Sequence, residues 1–317
     1  MKSKGMDIEN KHVMQKQKLE VIDILKEAVQ IYFRNINFII FTFLISLPLL
    51  CFLIYFETYL QGTLAEFIEI LYQLPVKPAY RLFIPENITQ RLSKDFSLKL
   101  IRLGFLYLAP LHVIELGTVI VSVNLASKVR SEERKLTLKE MFRNPFDIFK
   151  FKGTFITSIY VILLPSCTLL VLIWIVISYC MILWDSSFYI LFRVICGVGL
   201  GQLLKVYLVG TAVWNMSILI SILEGVHGFK ALALAEHFSR GSQQQGFLLM
   251  FIFLVWGVCL RLPCLYVGCY KEGYGIVLQT GLFCIGNLLK WVVCMVYFYG
   301  CRRNHQLLEN KIEEGIS

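Results

Sequence analysis

Four side chains stand where chemistry is possible because each interrupts an otherwise apolar stretch: His112, Glu115, Arg261 and Lys290. An ionisable group at the centre of a membrane-crossing helix costs on the order of 3 kcal/mol or more, so each calls for a function or a partner. His112-x-x-Glu115 sets an imidazole and a carboxylate on one helical face, a spacing compatible with metal binding. Carboxylate-bridged metal bundles need several such ligands, and the other histidines (12, 227, 237 and 305) are expected outside the spans. Neither a metal nor an organic cofactor is therefore expected. Glu115 lies thirteen residues before Lys128, and Lys290 twelve before Arg302. At ~1.5 Å per residue both sit roughly 18–20 Å inside a basic flank, near mid-membrane. An ion pair between them is allowed, with Arg261 as a rival partner. Two readings stay open: a polar path or ligand site inside a helix bundle, and a buried pair that fixes helix register.

The elements that must hold these residues are long and apolar. Gly153 to Trp184 contains no charged side chain, well beyond the ~20 residues a helix needs to cross a bilayer. Composition agrees, with 57% hydrophobic and 17% charged residues, against about 25% charged in soluble domains. Six spans are expected: about Phe38–Phe56, Leu103–Ser127, Phe155–Tyr179, one ending at Leu223, Gly246–Cys269 and Gly275–Cys301. The fourth starts between Phe188 and Leu203, because Arg193 and Lys205 interrupt it and glycines 197, 199 and 201 permit a bend. The fold class is an all-α polytopic bundle of three transmembrane hairpins. Residues 1–37 precede it, 38–301 form it, and 302–317 are a tail.

Orientation follows from the basic residues. Segment 1–37 carries seven Lys/Arg and loop 128–152 carries eight, whereas the much longer loop 57–102 carries six. Both termini and loop 128–152 are then expected on the cytosolic side of an endomembrane or plasma membrane. Asn87-Ile88-Thr89, a glycosylation acceptor, falls on the opposite side in this arrangement. Residues 1–34 lack the short apolar core of a cleavable leader, so the first span is expected to serve as the insertion signal. The net charge of +9 points to anionic lipid of the cytosolic leaflet rather than to nucleic acid, since the cations fall between spans. Membrane proteins are the other expected partners.

Short helical segments around Leu25-Lys26-Glu27, Leu138-Lys139-Glu140 and Phe229-Lys230-Ala231 lead into spans one, three and five. Val21, Ile24, Leu25, Ala28 and Tyr32 share one face of the first, an amphipathic pattern suited to the membrane interface. Loop 128–152 interleaves Phe142, Phe146, Phe149 and Phe151 with its cations, which also suits an interfacial helix. Leu60–Leu74 reads as an interfacial helix on the far side, broken afterwards by Pro75, Pro78 and Pro85.

Most of the ten cysteines lie inside apolar spans, where a thiol acts as a small hydrophobe. Cys264 and Cys269 are near enough to a span end to pair in an oxidising lumen. Cys301, beside Arg302 and Arg303, is a candidate palmitoylation site. The Gly197-Val198-Gly199-Leu200-Gly201 run lacks the third glycine of GxGxxG and the Lys of a P-loop, and reads as close helix packing. The sequence holds no GxSxG and no HExxH, so no enzyme activity is expected.

The stretch Val213-Trp214-Asn215-Met216-Ser217 through Leu223-Glu224-Gly225-Val226-His227-Gly228-Phe229-Lys230-Ala231 resembles a plant family of uncharacterised six-span membrane proteins. That family is distantly similar to the membrane portion of bacterial glycerophosphodiester phosphodiesterases. The resemblance implies a six-span plan without a catalytic domain. It brings no catalytic residues, and His227 and Gly225 depart from the family pattern. The function expected is that of a non-enzymatic membrane scaffold or lipid-interacting protein, with a carrier or pore for a small solute or lipid as the alternative.

Overall fold

The structure is a computed structural model that describes residues 20–72, 94–131, 137–143, 148–184, 190–269 and 273–316. Their regular structure is helical throughout. Helix α1 (Val21–Arg34) precedes α2 (Ile36–Tyr72); α3 (Lys94–Leu106) passes through a π-helical turn, Tyr107–Leu111, into α4 (His112–Ser131). Then come α5 (Leu138–Arg143), α6 (Ile148–Trp184), α7 (Ile190–Leu223), α8 (Phe229–Ser239), α9 (Gln243–Val267) and α10 (Tyr274–Ile316).

Six stretches are long and apolar enough to cross a membrane: Ile36–Glu66, Leu98–Ser131, Phe151–Leu172, Val194–Leu223, Gln243–Val267 and Tyr274–Leu307. This is an all-α, multi-pass membrane helix bundle. The most apolar windows of the fourth and sixth are 56% and 61% buried, against 11% and 17% for the third and fifth. Helices α7 and α10 are therefore the centre of the bundle, and α6 and α9 expose most of their surface to lipid. Large apolar side chains such as Phe43, Leu163, Leu170 and Trp174 point outward, as a hydrocarbon solvent allows. Inside, small polar residues (Thr42, Thr118, Ser122, Thr154, Thr157, Ser217 and Thr280) are buried, and many return a hydroxyl bond to their own helix, as Thr118 does to the Ile114 carbonyl. Such residues let membrane helices approach closely without unsatisfied groups.

Span boundaries differ from the hydropathy reading in one consequential place. The first span does not stop at Phe56. Nothing between Phe56 and Tyr72 breaks a helix except Gly62, which costs only ~1 kcal/mol, so α2 runs on unbroken. The segment expected as a separate interfacial helix from Leu60 is the far end of α2, and Glu57 lies inside the span. Helix α7 likewise runs unbroken through glycines 197, 199 and 201 and through Arg193 and Lys205. Helix α10 continues to Ile316, so the expected tail is mostly helical.

Pro48, Pro165 and Pro263 sit within continuous helices. Pro110 falls in the π-helical turn. A proline has no N–H to give the preceding turn and its ring crowds a carbonyl there; one extra residue in the turn relieves both.

Each expected leading helix is present: α1 before α2, α5 before α6, α8 before α9. The apolar face of α1 meets protein rather than lipid. Ile24, Ala28 and Ile31 are buried where α1 packs on α10 and α2. Since α1 packs beside α10, and Arg302 of α10 pairs with Glu224 beyond α7 at 2.8 Å, these elements share one end of the bundle, called here the near end.

Candidate functional site

Polar side chains gather at three levels. At the near end, the turn between α7 and α8 closes on a buried network. Ser221 Oγ lies 2.6 Å from His227 Nδ1 and 3.2 Å from Thr157 Oγ1, and the Gly228 N–H donates to Thr157 Oγ1 at 2.8 Å. Gly225 and Gly228 have φ of 70° and 69°, a left-handed region that glycine enters freely. A Cβ on Gly153 would collide with the His227 imidazole, so α6 passes that ring in its second turn. Ser221 beside a histidine resembles a nucleophile with its base. However, Ser221 is wholly buried, and its hydroxyl is shared among His227, Thr154 and Thr157. The network is a latch for the turn. Around it Arg130 pairs with Glu27 at 2.8 Å and covers the Tyr299 ring at 4.6 Å, tying α1, α4 and α10 together.

The middle level holds the sequence candidates of the second and sixth spans. Glu115 accepts a hydrogen bond from Asn287 Nδ2 at 2.9 Å. The depth argument therefore brings the right helices together, but the partner is Asn287, one helical turn from Lys290. Lys290 lies 5.0 Å from the centre of the Trp291 ring, a cation–π contact, and no ion pair joins it to Glu115. His112 follows the π-helical turn, half-buried, with Nε2 unpartnered. Among the described residues, no three His, Cys, Asp or Glu side chains converge on a point.

The third level is near the far end, between α2, α9 and α10. Arg261 Nε donates to Glu57 Oε1 at 3.1 Å, and Nη2 donates to the same oxygen. The guanidinium lies 4.5 Å from the Phe283 ring centre. Glu57 is 1% exposed whereas Arg261 is 41% exposed. One turn on, Gln61 Nε2 donates to Gln279 Oε1 at 2.7 Å. Glu57 Oε2, Gln61 Oε1 and Gln279 Nε2 are buried without a partner. Glu57, Gln61 and Arg261 line a cavity of about 330 Å³ whose other walls include Leu60, Leu64, Leu254, Val258 and Leu262.

A family model described as a domain of unknown function (DUF8558) matches residues 6–313. The chain belongs to that family. No curated protein and no solved structure matches it.

The remaining sequence candidates of this DUF8558 member have definite places. Cys301 is 3% exposed inside the helix packing. Cys264 and Cys269 are both free thiols. Asn87 lies outside the described residues. Sequence reasoning missed Glu57, Gln61, Gln279 and Asn287. The signal for the first two was the i, i+4 spacing of Glu57 and Gln61 on an uninterrupted helical run; taking the first carboxylate as the end of the span hid it.

Proposed function

We propose that this protein is a non-enzymatic, lipid-interacting component of an endomembrane or plasma membrane, acting as a scaffold whose near end faces the cytosol and grips the anionic leaflet. The observation that carries the reading is the outward face of α1. Opposite its buried face, Ile22, Val29 and Phe33 are 71%, 37% and 78% exposed, and Ile36 at the head of α2 is 70% exposed. Lys26 is exposed on the same stripe. A helix apolar on both faces, docked to protein by one, suits a bilayer interface with the other. Lys128, Lys139 and Lys230 are exposed at the same end, and each basic residue near an anionic surface contributes about 1 kcal/mol of attraction. The carrier alternative is weaker because apolar packing fills the interior between Glu115 and the near-end network: Leu116, Val119, Ile120, Met216, Leu219 and Ile220 form one buried cluster.

The test is native mass spectrometry of the full chain released from bilayers of phosphatidylcholine mixed with phosphatidylserine. Anionic lipid should be retained in excess, and the triple reversal Lys26→Glu, Lys139→Glu, Lys230→Glu should abolish that excess. Equal retention of both lipids, unchanged by the reversals, would refute the reading.

A further inference from the structure

The Glu57–Arg261 cavity is open to more than packing. Its polar atoms are not used up: Glu57 is 1% exposed, and its Oε2 has no partner. Gln61 is 2% exposed, and in either amide orientation the Gln61–Gln279 pair leaves one donor and one acceptor unmatched. Buried polar atoms are matched in nearly all native structures, so unmatched ones on Glu57 and Gln61, two residues that line a cavity, mark a missing partner. The walls around them are aliphatic and aromatic: Leu60, Leu64, Leu254, Val258, Leu262 and Phe283. Few polar groups in an apolar crevice is the make-up of a small-molecule site, and about 330 Å³ is enough for a head and the start of one tail.

Depth and charge select the class of ligand. Glu57 is twenty-one residues beyond Ile36, where α2 begins, or about 31 Å along the helix. The polar atoms are thus close to the far boundary of the hydrocarbon core, which is ~30 Å thick. Phe253, Leu254, Gly257 and Val258 continue the lining from Arg261 back toward the membrane centre, over about 12 Å. This is the layout of an amphiphile with its head at the far interface and its tail pointing inward. Glu57 and Arg261 already neutralise each other, so a ligand with net charge would leave one charge uncompensated in a poorly solvated place. An ionised carboxylate only accepts, so the group meeting Glu57 Oε2 must donate. A cationic donor would break the neutrality, which leaves a neutral O–H or N–H, of which a hydroxyl is the most compact. The glutamine pair calls for a second polar group one helical turn away.

We propose that the crevice between α2, α9 and α10 binds a neutral amphiphile whose head carries a hydroxyl and a second polar group, the head chemistry of an acylglycerol. Glu57 accepts from the hydroxyl, Arg261 holds the Glu57 carboxylate in place, and Gln61, braced by Gln279, takes the second group. This site is distinct from the near-end contact with anionic lipid, and either can fail alone.

The experiment uses the full chain in phosphatidylcholine nanodiscs doped with one of three diazirine-bearing probes: an acylglycerol, a sterol or phosphatidylserine. Cross-linked peptides are mapped by mass spectrometry. The acylglycerol probe should concentrate its cross-links in residues 57–64 and 253–265. Gly257 lines the crevice, and a Cβ there meets only Phe283 at an ordinary 3.7 Å, so Gly257→Leu fills the space while leaving the ion pair intact. Cross-linking should fall about tenfold in that variant, since binding now requires overpacking, with labelling of lipid-facing residues 159–170 unchanged. Val258→Trp fills the same crevice from the neighbouring turn, and the thermal transition of each variant reports whether it is folded. Uniform labelling of lipid-facing surface, or full labelling in a folded filled variant, overturns the site. Stronger labelling by phosphatidylserine overturns the neutrality argument. Equal labelling by the sterol, with its single hydroxyl, overturns the two-group head.

Discussion

Glu57 and Arg261 differ in what each loses when the other is removed. Replacing Arg261 strands an almost fully buried carboxylate in a low-dielectric interior, where breaking a buried pair costs about 3–5 kcal/mol. Replacing Glu57 leaves a guanidinium that is 41% exposed along the crevice, still lies over Phe283, and is on a side chain long enough to turn toward the nearby far interface; losing hydrogen bonds to a charged group then costs about 1–3 kcal/mol. Arg261→Gln should therefore lower the unfolding transition of the protein in nanodiscs far more than Glu57→Gln does. The double variant should recover most of the difference, because it carries no stranded charge. Equal losses in the two single variants would mean that the carboxylate finds other solvation. His112, Glu115 and Lys290 were legible as costly residues, since a charge in an apolar run is visible without a structure. Their partners were not legible: Asn287 and Trp291 carry no charge to draw attention, and a rotation of one helical position decides which side chain faces the carboxylate.

At the scale of elements, the second turn of α6 is fixed by the α7–α8 turn. Gly153 is buried against the His227 ring, which in turn bonds Ser221. Gly153→Ala should gain up to ~1 kcal/mol of helix propensity and lose about 1–3 kcal/mol by overpacking, so the net effect is destabilising. The loss should be relieved in Gly153→Ala combined with His227→Ala, measured against His227→Ala alone in the same thermal assay. A Gly153→Ala variant as stable as the parent would show that the imidazole swings aside freely. The existence of this turn was legible from Gly225 and Gly228, which punctuate two helical runs. Its closure was not, because Thr154, Thr157 and Ser221 come together only after α6 and α7 pack. The end of α2 was misread for a related reason: hydropathy falls at Glu57, but a charged residue does not stop a helix, and no left-handed glycine or proline follows before Tyr72.

For the whole molecule, the number of spans was legible because bilayer thickness imposes a length that no other requirement mimics. The arrangement of helices was not, since lipid is as apolar as a core and an outward leucine reads like an inward one. The bundle itself settles one relation: α1 packs on α10, so the N-terminal helix and the basic stretch Arg302-Arg303 lie at one end. With six crossings between them, epitope tags fused at residues 1 and 317 must share a fate in sealed vesicles. The exposed lysines 26, 128, 139 and 230 at that end make the cytosolic side the expected one, so protease added outside microsomes whose cytosolic face is outward should remove both tags. The acceptor at Asn87, expected on the opposite side, should then gain a glycan sensitive to endoglycosidase. Both tags protected would invert the orientation and with it the meeting of the near end with the anionic leaflet; one tag clipped and one protected would contradict the even number of crossings, because no rigid-body inversion separates two helices that pack side by side.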